Sequence, residues 1–232
     1  MNGRQYSLFA NASSRGTPPV RPLFFEFPDD PSLLSVDEQF LIGSALLVTP
    51  VLYPNQSTVT GYFPGSSAGI VWRDWYTHEP ISVGEGGTQT LDAPLSHINV
   101  HLKSGTILLL HREPGYTTYE TTQGPYELLV SLDAQGRAQG QAYIDDFISE
   151  PPVKSRTVDF VVTSGKLVVE GKGEWEVKQK VTKVTIVGVG KEPREVKVGG
   201  KNVEFEWEEK VGKVTVDGVS VDINTQGDVV WV

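Results

Sequence analysis

The chain has 232 residues, 38% of them hydrophobic and 21% charged, enough for one large domain or two of ordinary size. Its net charge of −9 lies wholly in the first 150 residues, because residues 151–232 hold 13 basic and 13 acidic side chains, and an acidic body argues against a basic patch for nucleic acid or an anionic membrane. No cysteine is present, which excludes internal disulfides, a zinc-thiolate site and a cysteine nucleophile.

Residues 6–14 read as the end of an amphipathic helix with Tyr6, Leu8, Phe9 and Ala10 apolar, closed at Gly16 and followed by Pro18-Pro19. So short a helix is marginal in water and needs a sheet or barrel to lie on. Residues 20–27 are apolar almost throughout and predict a strand covered on both faces. Pro28-Asp29-Asp30-Pro31 breaks that strand. Ser35, with Glu38 three residues on, then spells a capping box for a short helix to Ile42, stopped by Gly43. Residues 45–52 form the next apolar strand, ended by Tyr53-Pro54-Asn55.

From there the pattern is short strands separated by turns: 59–64, 69–76, 89–91, 98–102 and 106–110, as in an antiparallel sandwich. A second set covers 126–132, 140–144, 156–163, 166–170, 174–179, 181–187, 194–198, 203–208, 213–216 and 228–232. In 203–208 the odd positions are apolar and the even ones acidic, the mark of one buried and one wet face. Ser164-Gly165, Gly199-Gly200 and Asp217-Gly218 are hairpin turn signals. No apolar run approaches the ~20 residues of a membrane span, and no signal-peptide pattern follows Met1.

Five segments in order, RPLFFEFP, DEQFLIGSALLVTPVL, YFP, APLSHINVHLKSG and YIDD, resemble the C-terminal portion of family 31 glycoside hydrolases, within that family the eukaryotic, maltase-like α-glucosidases. The resemblance is strong over the first 150 residues. It implies a mainly β fold: the end of a (β/α)8 barrel at 1–44, a proximal antiparallel β-sandwich at 45–122 and a distal one at 123–232. It also implies that the aspartate nucleophile and the aspartate acid/base lie upstream of RPLFFEFP, so no catalytic or substrate-binding residue is assigned here.

The enzyme so implied removes terminal α-linked glucose with retention, through a glycosyl-enzyme intermediate. This chain would be its scaffold, inactive alone and needing no cofactor. Its expected partner is the chain carrying the rest of the barrel, which covers Leu23, Phe24, Phe25 and Phe27 and presents the α-glucoside oligosaccharide; no nucleic acid or membrane is expected. The expected location is secreted or cell wall, with the signal on an upstream part. The alternative is a carbohydrate-binding or interaction β-sandwich module without catalysis.

Asp145-Asp146 resemble the family's YxDDG element, with Phe147 in place of its glycine. Adjacent carboxylates on a strand cannot face each other as acid and nucleophile, so a turn or loop cap is expected. Asp29-Asp30 and Asp37-Glu38 read as turn and helix-start residues. His78, His97, His101 and His111 show no HxH or HExxH spacing, so no metal site is assigned; the resemblance implies that Asn99-Val100-His101 packs the sandwich against the barrel. Trp72, Trp75, Tyr76, Tyr116 and Tyr119 are expected to pack, with a sugar-stacking platform as the other reading. Asn11-Ala12-Ser13 and Asn55-Gln56-Ser57 make Asn11 and Asn55 glycosylation candidates. No GxSxG, Walker or GxGxxG arrangement occurs.

Overall fold

The computed structural model describes residues 2–150 and 153–232. The chain divides into two compact, mainly β units: a smaller one, Thr17–Ser104, and a larger one formed by Met1–Gly16 with Gly105–Val232.

The smaller unit is built on an antiparallel sheet of β1 (Val20–Arg21), β2 (Phe40–Ile42), β3 (Leu46–Thr49), β5 (Trp72–Asp74) and β7 (Asn99–Lys103), in the order β1-β2-β3-β7-β5. β4 (Thr58–Tyr62) and β6 (Thr88–Asp92) form a separate two-stranded ribbon. Leu23, Leu33, Leu41, Leu47, Phe63 and Trp72 are its buried core.

Two expectations fail here. The strand over 20–27 is only β1, and Leu23–Glu26 is a helical turn, α2. Pro22 sits at its N-cap without an N–H to give, and the Phe27 N–H closes on the Leu23 carbonyl. Arg21 pairs with Glu26 across the turn and lies 5.3 Å over the Phe25 ring. Only Leu23 is buried, while Phe24 and Phe25 are 39% and 45% exposed, so the run has one covered face rather than two. The helix over 35–42 is instead a 3-10 helix, Pro31–Ser35, followed by β2. Asp30 takes the cap by accepting from the Ser32 N–H, with Pro31 in the first turn. Phe40–Ile42 finds strand partners on both sides, Leu41 lying opposite Arg21 and Leu47. Gly43, at φ 59°, makes the tight turn between β2 and β3 rather than a helix stop.

In the larger unit α1 (Asn2–Arg15) lies on β8 (Thr106–His111) and β10 (Ala138–Ile144). As expected, it closes at Gly16 (φ 71°), whose N–H reaches the Ala12 carbonyl. The other strands are β9 (Tyr126–Ser131), β11 (Arg156–Thr163), β12 (Lys166–Gly173), β13 (Val181–Val187), β14 (Val196–Val198), β15 (Lys201–Val203), β16 (Glu206–Glu208), β17 (Lys213–Val221) and β18 (Gly227–Trp231). With β8 and β10 they make one eleven-stranded sheet, ordered β15-β14-β18-β12-β11-β10-β8-β9-β13-β17-β16. The sheet curls so that its two halves share a core: Phe160, Leu167 and Val169 from one half belong to the same cluster as Leu128, Val184 and Val214 from the other. The longer of the unit's two segments begins at Gly105, inside the stretch read as the proximal sandwich, and β8 pairs there with β9 from Thr106–Ser131 to His111–Tyr126.

The sheet is not wholly antiparallel: β8 pairs β10, and β9 pairs β13, in parallel. Residues 174–179, expected as a strand, carry no ladder. Their backbone groups find other partners: the Glu174 and Trp175 N–H groups donate to the Ser155 carbonyl, Arg156 Nε donates to the Trp175 carbonyl, and Asn224 both accepts from the Val177 N–H and donates to the Val177 carbonyl. The single strand expected over 203–208 splits, β15 pairing β14 at one sheet edge and β16 pairing β17 at the other. Asp217-Gly218, expected as a hairpin turn, lies inside β17, where the register against β13 shifts and Gly218 (φ 70°) makes a bulge. Ser164-Gly165 and Gly199-Gly200, all at positive φ, turn as expected.

Candidate functional site

Each unit has a large cleft. That of the smaller unit, about 670 Å³, is bordered by Asp30, Tyr62, Ser66, Trp72, Ile81 and Gly87. Its acid is engaged: Asp30 accepts from the Ser32 hydroxyl, the Ser32 N–H and Tyr62, and the Ser32 bond leads in holding it below the usual carboxylate range. Asp29 sits in the preceding turn. Asp37 and Glu38 are exposed, and Glu38 accepts from the Tyr53 hydroxyl, which raises that phenol. Trp72 is fully buried and donates from Nε1 to the Pro64 carbonyl at 2.9 Å, so it packs rather than stacks on a ligand. Trp75 is half-buried, and Tyr76 is exposed with its ring 4.9 Å from His97.

His101 is 1% and His111 6% exposed, and neither has a hydrogen-bond partner on its ring nitrogens. Burial pushes both down to about 4, so both are neutral near pH 7. His101 meets the Phe63 ring edge-on at 4.9 Å, and His111 lies 4.8 Å from Tyr126. His78 occupies a turn at φ 62°. Among the described residues no three His, Asp or Glu side chains are grouped as metal ligands.

At the end of β10, Asp145 is buried; it accepts from the Tyr6 hydroxyl at 2.8 Å and from the Phe147 N–H at 2.8 Å. Asp146 accepts from the N–H groups of Ile148 and Ser149 and from the Ser149 hydroxyl, which leads in holding its carboxyl below the usual carboxylate range. Both carboxylates are thus loop caps, as their spacing implied. Burial first, and then the Asp145 bond, push the Tyr6 phenol far above its usual range, so it donates as a neutral hydroxyl.

This turn borders the second cleft, about 810 Å³, walled by Tyr6, Tyr119, Tyr126, Phe147 and Trp175. Tyr119 stands on α3 (Thr118–Gln123), a helix absent from the sequence expectations although its start is spelled T-x-x-E. Thr117 and Glu120 form there the reciprocal capping box expected at Ser35 and Glu38. Trp175 lies in the segment expected as a strand and carries no separate signal in the sequence. Tyr116 is fully exposed and lies outside the cleft wall.

Residues 16–108 match the glycosyl hydrolase family 31 C-terminal domain. An uncharacterized family 31 glucosidase of Schizosaccharomyces pombe is 46% identical over 199 residues, 86% of this chain and 20% of that protein. The chain belongs to glycosyl hydrolase family 31. An α-glucosidase of Aspergillus niger is 41% identical over 198 residues, 85% of this chain and 20% of that protein. Among solved structures, the glucosidase II α subunit bound to alpha3-Glc2 superposes with a TM-score of 0.86 at 26% identity, covering 99% of this chain and 27% of that one. The chain thus spans about a fifth of the curated family 31 relatives it matches. The resemblance carried by the five sequence segments holds.

Proposed function

We propose that this chain is the C-terminal part of a retaining α-glucosidase that releases terminal α-linked glucose from oligosaccharides, and that it is the scaffold for a (β/α)8 catalytic barrel carried by the N-terminal part of the same enzyme. The observation that carries the reading is the 46% identity to a family 31 glucosidase across 86% of this chain. Exposed apolar side chains in the smaller unit support it: Val20, Phe24, Phe25, Leu34 and Leu52 are more than an isolated surface ordinarily shows, and a barrel would cover them. Residues 1–44 are then where the barrel ends.

The test is hydrolysis of maltose by the 232-residue chain and by the protein carrying the upstream barrel. The longer protein is expected to release α-anomeric glucose and the short chain none. Glucose release by the short chain would move the chemistry here, and none by the longer protein would remove the α-glucosidase reading.

The enzyme passes through the secretory pathway in this reading, and Asn55 is its glycan acceptor. Asn55 is exposed in a turn at φ 62°, whereas Asn11 sits inside α1 and is half-buried. Enzymatic removal of N-glycans is expected to lower the mass of the secreted protein, and Asn55→Gln to abolish that change.

A further inference from the structure

The larger unit's cleft has the build of a binding site. At about 810 Å³ it lies within the range of small-molecule sites. Its wall offers aromatic faces of graded exposure, with Tyr119 67% exposed, Trp175, Phe147 and Tyr6 half-buried and Tyr126 at the base. Its rim carries exposed Lys154, Glu174, Glu176 and Lys178. Charges of both signs suit the many hydroxyl groups of a hydrated ligand, each hydroxyl both donating and accepting.

The wall is also held in place before any ligand arrives. Tyr6 is fixed by Asp145, α3 by its capping box, and the segment bearing Trp175 by Gln179, whose amide donates to the Thr122 carbonyl at 2.9 Å. Phe147 adopts φ 60°, a conformation ordinarily left to glycine or asparagine, and its ring meets Tyr6 at 4.5 Å. A bulky residue kept in so unfavourable a backbone state is a feature of ligand clamps.

We propose that this cleft binds a short α-linked gluco-oligosaccharide, the C–H faces of its pyranose rings stacking on Tyr119 and Trp175 and its hydroxyl groups meeting the charged rim. The ring chemistry identifies a saccharide; the choice of glucose rests on the α-glucosidase reading.

The test is electrophoresis of the 232-residue chain through gels containing soluble starch, with calorimetric titration by maltoheptaose. Retardation in starch and saturable binding are expected. Tyr119→Ala should weaken binding by about tenfold, the loss of one ring contact, while Tyr119→Phe retains it. Tyr116→Ala, outside the wall, should leave binding unchanged. Absence of retardation and of titration overturns the proposal, as does binding that survives both Tyr119→Ala and Trp175→Ala. A preference for xylo-oligosaccharide over maltoheptaose overturns the choice of glucose. Because hydrolysis is read on the longer protein, activity there without binding here sinks this inference alone; binding here without activity there sinks only the enzymatic reading.

Discussion

In the larger unit β11, β12 and β17 run 8, 8 and 9 residues, whereas the longest strands of the smaller unit, β4, β6 and β7, have 5. Long alternating strands carry their own register, because a slip of one residue would turn every buried valine outward. Short strands have too few side chains for that. The smaller unit relies instead on individual polar groups that tie its pieces together. Gln39 is the clearest: it donates to Thr49 Oγ1 at 2.8 Å and to the Tyr62 carbonyl at 3.2 Å, and it accepts from the Tyr62 N–H at 2.7 Å. In the first unit the pattern is redundant; in the second, single contacts hold the fold.

The most severe test is removal of one fully buried ring from each core. Trp72→Ala and Phe160→Ala are each expected to cost about 3–5 kcal/mol. Hydrogen exchange should show cooperative protection lost throughout the smaller unit for Trp72→Ala, while Phe160→Ala leaves a weakened but still cooperative larger unit. Equal loss of cooperativity in both would break the contrast.

Gln39→Ala should cost about 1–3 kcal/mol, because the buried Gln39 amide is lost and the part-buried Tyr62 N–H is left without its acceptor. The urea midpoint measures it, and a change below ~0.5 kcal/mol, ordinary for a surface position, would deny Gln39 its tying role.

Acid should find both units through their buried histidines. The unfolded chain takes up these protons near the ordinary 6.5, the folded chain only near 4, so between those values the unfolded state binds more protons. Stability present above pH 6.5 is therefore lost as the pH falls through this window. Denaturation midpoints measured from pH 7 to 4.5 should decline, and His101→Phe should flatten part of the decline. An unchanged slope in that variant would remove His101 from the account.

The mildest change is Thr117→Ala, which removes half of the α3 capping box and is expected to cost about 1 kcal/mol, read from the thermal midpoint. Retention of stability with Ala at this position would mean that packing rather than capping starts the helix.

The strands of 156–232 were legible in the sequence wherever alternation was long and the turn dipeptides plain, as at Ser164-Gly165 and Gly199-Gly200. Legible too were the C-cap of α1 at Gly16 and the loop-capping role of Asp145-Asp146, since both follow from groups close together along the chain. Of the second cleft, Tyr119 and the Asp145-Asp146 turn were visible in advance. Trp175 and α3 were not, because a short T-x-x-E with no apolar stripe after it gives no periodic signal.

The sequence by itself carried the resemblance to the family in five ordered segments, and it determined the mainly β composition and the alternating faces of the larger sheet, because these two depend on residue types and spacing alone. Tertiary structure decided the rest. Residues 20–27 bend into a helical turn because Arg21 pairs with Glu26 and only one face is buried. Residues 40–42 extend because Leu41 finds Arg21 on one side and Leu47 on the other. Residues 174–179 give up the ladder to Arg156 and Asn224. In the last two cases a short segment satisfied more than one local conformation, and its backbone N–H and C=O groups took the conformation for which residues elsewhere in the chain supplied partners.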